Sequence, residues 1–198
     1  STLALANSNT AGTVAIDGSV AGMGTLNITG SHNTAGAIGG TARLGAVNVN
    51  AGSSFMLDQF LAADDLSISG SLYKMSIDAV NAETVVNDGG MLDVTASYTN
   101  NGDLDVADGG TLSLNGSTLT VSDNFDLASG STLMTSLNSG TMDDAGQVVV
   151  QDDVTVSADA AVEVAAAHVP FVAHGTSYTV IDAASGTLSV PGITDDRD

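Results

Sequence analysis

The sequence predicts an all-β protein, a β-solenoid with rungs of about 20 residues. Three observations lead there. Apolar residues recur at every second position rather than at every third and fourth. Gly, Asn, Ser and Thr interrupt almost every window in which a helix would form. One phrase, strand then corner then strand, returns along the chain.

In chain order, "GTVAIDGSV" and "GTLNITGSH" read as early rungs whose register the pattern does not settle. The phrase is then clear in "VNVNAGSSFML" (47–57), "TVVNDGGMLDV" (84–94), "DLDVADGGTLSL" (103–114), "FDLASGSTLMT" (125–135) and "VTVSADAAVEV" (154–164). The last apolar residue before each corner measures the period. Val49, Ile68, Val86, Val106 and Leu127 are separated by 19, 18, 20 and 21 residues. A propeller blade needs roughly 40 residues and a leucine-rich repeat its own Leu/Asn signature, so a helix-free period of this size is a solenoid coil. The next copy ends its first strand at Val156, 29 residues after Leu127, and "SLNSGTMDDAGQ" (136–147) is read as a loop or distorted rung. "AAVEVAAAHVPF" has the length for a short helix, but its strand spacing into Val162 and Val164 favours continued sheet. No linker separates two domains, and residues 1–198 form one solenoid domain.

Stacked coils place equivalent residues about 4.8 Å apart, so the inward positions form columns. One is Val49, Ile68, Val86, Val106 and Leu127; another, from the second strand, is Phe55, Leu92, Leu112 and Leu133. The outward residues between them, Asn48, Ser67, Val85, Asp105 and Asp126, are mostly polar. Gly and Asn tolerate the positive φ of a tight corner, and the tetrads Asn50-Ala51-Gly52-Ser53, Asn87-Asp88-Gly89-Gly90, Ala107-Asp108-Gly109-Gly110 and Ala128-Ser129-Gly130-Ser131 supply them.

Composition narrows the function. Three Lys and Arg stand against 23 Asp and Glu, a formal charge of −20, yet 43% of residues are apolar. The chain can therefore bury a core rather than remain a solvated tail. Aromatics make up only 4%, and Cys and Trp are absent, which excludes disulfides and thiolate metal sites. Phosphate neutralisation needs Lys and Arg, so nucleic acid and anionic lipid are excluded as partners. No stretch has the ~18 apolar residues of a membrane helix. "STLALANSNT" lacks the basic region and hydrophobic run of a signal peptide.

The rung phrase "GGTLSLNGSTLTV" and the segment "HGTSYTVIDAASGTLSVPGITDD" resemble the passenger domains of type V autotransporters, from about Val14 onward. The resemblance implies a right-handed parallel β-helix, secreted to the cell surface by a Gram-negative bacterium as the exported portion of a longer precursor. The ending "DDRD" stops where family members usually continue, an expected cleavage or boundary.

Catalysis finds little footing. Glycoside hydrolysis needs two carboxylates across a cleft. Asp64-Asp65, Asp143-Asp144 and Asp152-Asp153 are adjacent in sequence, and neighbours on a strand point to opposite faces. Only Arg43, Lys74 and Arg197 are available to hold an acidic sugar. His32, His168 and His174 sit in repeat-like contexts and are expected to be structural or solvated. No enzyme is predicted.

The alignment stacks Asp88 over Asp108 and Asp105 over Asp126, and like charges on neighbouring coils repel. Asp103, Asp105, Asp108 and Asp126 could offer oxygens to Ca2+, the one cofactor these residues would suit. Against it, the nonapeptide signature of calcium-bound β-rolls is missing, and a solvated acidic coat that keeps the protein soluble explains the same residues. The expectation is thus an extracellular structural or adhesive rod, acting by self-association or by contact with cell-surface or matrix components. The alternative is a carbohydrate-binding or carbohydrate-cleaving β-helix using glycans and the scattered rings of Tyr73, Tyr98, Phe171 and Tyr178.

Overall fold

The computed structural model describes residues 1–6, 11–12, 15–34, 36–74, 80–137, 145–165 and 177–189. Among the described residues the regular elements are all strands, and no helix is long and apolar enough to cross a membrane. The strands stack in parallel on their equivalents in neighbouring coils, as the β-solenoid reading requires.

One coil shows the plan. Thr118–Val121, Phe125–Leu127 and Thr132–Ser136 form its first, second and third walls. The phrase visible in the sequence covers the second and third walls only. The first wall escaped the alignment because "STLTV" follows a turn at Asn115-Gly116, and among the described residues Asn115 is the one non-glycine with positive φ. In Leu61–Ile68 and Val80–Val86 the first and second walls run as one strand, so both belong to one 13-stranded sheet and the third wall to an 8-stranded one, among the described residues.

The pairing register confirms the inward columns and lengthens them. On the second wall the column runs Leu5, Ile28, Val49, Ile68, Val86, Val106, Leu127 and Val156. From Ile28 to Leu127 no member is more than 1% exposed. On the third wall it runs His32, Phe55, Leu72, Leu92, Leu112, Leu133 and Val162. "GTLNITGSH" thereby gains its register: Thr25–Thr29 is second wall and Ser31–Thr34 third wall, while Ile16 of "GTVAIDGSV" bridges Ile38 on the first. Leu137 and Ala145 form an antiparallel bridge at the base of the distorted rung, whose residues 138–144 lie outside the described set. Ala161–Ala165 is strand, as its spacing indicated.

Polar side chains replace apolar ones at several inward positions, and the sequence pattern did not reveal Thr84, Asn100 and Lys74 among them. Thr84 is fully buried on the second wall, in register between Leu66 and Leu104, and donates from Oγ1 to Asn100 Oδ1 at 2.8 Å. Asn100 Nδ2 in turn donates to the carbonyls of Gly102 and Asp103 at 2.7 and 3.0 Å, tying the bend between the first two walls. Lys74, between Leu57 and Val94 in register, is buried, donates from Nζ to Gln59 O at 2.6 Å and lies 5.9 Å from the centre of the Tyr98 ring. Burial pushes the Tyr98 hydroxyl above its ordinary range. His32 is buried over Phe55 with Nε2 2.9 Å from Thr29 O, the structural role expected of it; His168 and His174 lie outside the described residues.

The corner between second and third walls explains the recurring phrase. In the tetrads, the fourth residue's N–H donates to the first residue's carbonyl, as in Gly110 to Ala107 at 2.8 Å and Ser53 to Asn50 at 3.0 Å. The third residue has positive φ, 73° at both Gly52 and Gly109, which a side chain resists. The fourth position is tight for another reason. A Cβ on Gly110 would run into the carbonyl oxygen of Val86 in the coil below, whereas one on Gly52 would meet nothing within 4 Å. Gly52→Ala is therefore expected to cost about 1–2 kcal/mol, the left-handed backbone penalty alone. Gly110→Ala is expected to cost more, because the coil spacing itself must open. Denaturant midpoints of the two variants check the order, and equal midpoints would contradict this account of the corner.

Candidate functional site

The candidate site is the outer surface of the second wall together with the bends on either side of it. Its outward row runs Asn27, Asn48, Ser67, Val85, Asp105, Asp126 and Thr155, each in register with the next. Stacking suits amides: Asn48 Nδ2 donates to Asn27 Oδ1 at 2.8 Å, one coil to the next. It does not suit carboxylates. Asp105 is paired directly with Asp126 and neither can donate to the other when ionised. Burial pushes the Asp105 carboxyl above its ordinary value, and the charges of Asp126, Asp103 and Glu83 push it the same way. Asp126 Oδ1 is buried without a hydrogen-bond partner.

Of the four residues singled out as cation ligands, the structure therefore brings Asp105 and Asp126 together. Asp103 stands on the bend before the strand, where Oδ1 accepts from Asn124 N and Nδ2 at 2.9 and 3.0 Å. Asp108 stands at the corner after it, with its carboxylate over Gly130 of the next coil, as Asp88 lies over Gly109. Among the described residues no group of three or more His, Cys, Asp or Glu side chains gathers around one point in a way that could hold a metal ion.

The bend holds a staircase that the sequence reading missed. Asp103 caps Asn124 of the next coil, Asn124 Oδ1 accepts from Asp153 N at 3.3 Å in the coil after, and Asp153 Oδ1 accepts from Thr187 N and Oγ1 at 2.9 and 2.8 Å. These side chains brace coil to coil. The Thr187 backbone and hydroxyl bonds hold the Asp153 carboxyl below its ordinary value, and the Thr41 backbone does the same for Asp17 at the other end of the chain. The signal in the sequence was an Asp or Asn recurring at the same point of successive rungs, Asp103, Asn124 and Asp153, hidden because the last interval contains the distorted rung.

The sequence-adjacent acids behave differently from expectation. A register shift between Ala62 and Asp65 turns the strand, so that Asp64 and Asp65 are both exposed rather than on opposite faces. Asp64 is then taken by an ion pair with Arg43. Asp152 and Asp153 are both exposed at a turn, and Asp143-Asp144 lies outside the described residues. Tyr98 is buried and presents no surface to a sugar; Tyr73 and Tyr178 are half-buried, and Phe171 lies outside the described residues. The chain matches no protein-family model, no curated protein and no solved structure.

The acids thus divide into struts and repelled pairs, with opposite pH dependence. Asp105, whose folded pKa is raised, carries a penalty while ionised. That penalty falls away as the pH drops from neutral through the raised value toward the ordinary 3.8. Asp153 and Asp17, whose folded values are lowered, stabilise fully above the ordinary value of 3.8 and lose that contribution as the pH falls through their lowered values. Replacing Asp105 by Asn is expected to stabilise the protein at pH 7 by about 0.2–1 kcal/mol, the range for like charges facing across a ladder. The variant should also lose the gain that the parent shows as the pH falls from neutral toward 3.8. Thermal unfolding of both proteins across that range checks this, and an Asp105→Asn variant no more stable than the parent at pH 7 would refute it.

Proposed function

We propose that this chain is an extracellular structural and adhesive β-solenoid of a Gram-negative bacterium, acting by surface contact or by self-assembly into a fibre, matrix or cell-surface layer. The observation that carries the proposal is the outer row of the second wall. Apart from Val85 it presents polar side chains at a regular spacing of about 4.8 Å, on a frame whose inward columns are mostly apolar. A periodic polar wall suits a periodic partner, either a second wall of the same kind or an extended surface polymer. The secreted, Gram-negative setting draws on the resemblance of "GGTLSLNGSTLTV" and the C-terminal segment to autotransporter passengers. The role is one of contact, and no reaction step is assigned to it.

Charge sets the conditions. With −20 on each copy, two walls approaching side by side repel, and salt or divalent cations would relieve the repulsion. Ca2+ is the cation of choice, since hard oxygen donors such as the Asp105–Asp126 pair are what it takes. Electron microscopy at low salt with chelator, then with millimolar Ca2+, tests the proposal. Sheets or bundled filaments that appear with the cation, and are diminished by Asp105→Asn combined with Asp126→Asn, are the expected result. Separate short particles in both conditions would overturn the self-assembly reading and leave adhesion alone.

A further inference from the structure

The two ends of the solenoid differ in a way that the walls do not show. Six large apolar side chains stand exposed among the described residues, and five of them lie toward the two ends of the solenoid. Leu3, Val20 and Met23, 48%, 63% and 58% exposed, lie at the first end; Val162 and Val164, 46% and 50% exposed, lie on the last described third-wall strand. At the first end, Leu3, Ile16, Met23, Leu26 and Leu44 line an open depression of about 160 Å³. Among the described residues Thr2–Ala6 pairs on one edge only, as do Ala161–Ala165, Ile181–Ala183 and Leu188–Ser189 at the other end. Among the described residues each end therefore offers strand edges without a ladder partner beside apolar side chains, which is a template for another strand.

The charge is also divided. Residues 1–57 hold one acid, Asp17, and one base, Arg43, which pairs with Asp64; the remaining 22 of the 23 acids follow residue 57. The first end is therefore nearly neutral. The last coils carry Asp152, Asp153, Asp159, Glu163 and Asp182.

We infer that copies of this chain stack head to tail, the neutral first end of one docking on the acidic last end of another. The inference rests on the self-assembly reading above and gives that assembly its polarity. Two physical arguments select it. All walls are parallel ladders, and only an end-to-end stacking without a two-fold axis continues a parallel ladder across the junction. A two-fold pairing of like ends would set strands antiparallel and break the columns. Two last ends brought together would also face like charge with like, whereas a neutral face opposite an acidic one meets no such repulsion. Such a contact is heterologous and does not close on itself, so it propagates as a filament. The side-by-side contact needs cations; the end-to-end contact does not.

Complementary end-blocked variants test this. Leu3→Asp places a charge on the first end and Val164→Asp on the last; both sites are already exposed, and circular dichroism verifies that the fold is kept. Sedimentation in chelator at low salt is expected to show oligomers of the parent chain and monomers of each variant alone. An equimolar mixture of the two variants should give a one-to-one dimer and nothing larger, since one intact first end and one intact last end remain. Oligomers formed by either variant alone as readily as by the parent, or a mixture that fails to dimerise, would overturn the head-to-tail contact while leaving lateral assembly standing. A parent chain that is monomeric in chelator and assembles only with Ca2+ would do the same. A parent chain that is monomeric in both would overturn the self-assembly reading as well.

Discussion

Stacking at about 4.8 Å is the constraint on which the rest of the molecule depends, because it makes each residue's closest cross-strand neighbour the equivalent residue one coil away. Everything in the chain is answerable to that neighbour. Ile28, Val49, Ile68 and Val86 profit, since an aliphatic side chain stacked on another removes both from water. Asn27 and Asn48 profit too, as an amide has both a donor and an acceptor to share. Asp105 over Asp126 does not, and burial and repulsion raise the Asp105 pKa accordingly.

The same spacing explains why acids can be numerous without breaking the stack. On the bends the backbone N–H groups of the next coil lie within reach, so Asp103 and Asp153 turn a like-on-like problem into a strut. At the corner, Asp88 and Asp108 lie over glycines, where no Cβ competes for the space. The charge that remains unplaced lies on the outer wall and toward the last coils, and it is this distribution that bears on how copies would meet.

Much of the architecture was legible in the sequence because stacking repeats itself in the text: Val106 and Leu112 sit where Val86 and Leu92 sit, and the corner glycines mark the phase. What stayed hidden were departures from the repeat. Lys74 and Thr84 occupy inward positions that period-two reading assigns to apolar side chains, and their partners, Gln59 on a bend and Asn100 on the first wall, are 15 and 16 residues away. The bulge at Ala62–Asp65 changed which way two acids point, and no residue type announces it. Of the candidate site, the Asp105–Asp126 pair followed directly from alignment. The staircase did not, because its spacing carries the distorted rung.

The register between coils is the central claim, and cross-linking measures it directly in a chain that contains no cysteine of its own. Asp105→Cys with Asp126→Cys places two thiols on register partners with Cα atoms about 4.8 Å apart, inside the range a disulfide spans. Asp105→Cys with Thr155→Cys places them two coils apart, roughly 9–10 Å, outside it. The account predicts rapid oxidation of the first pair to an intramolecular disulfide and none for the second under the same conditions. A disulfide in the second pair, or its absence in the first, would contradict the stacking from which every other conclusion descends.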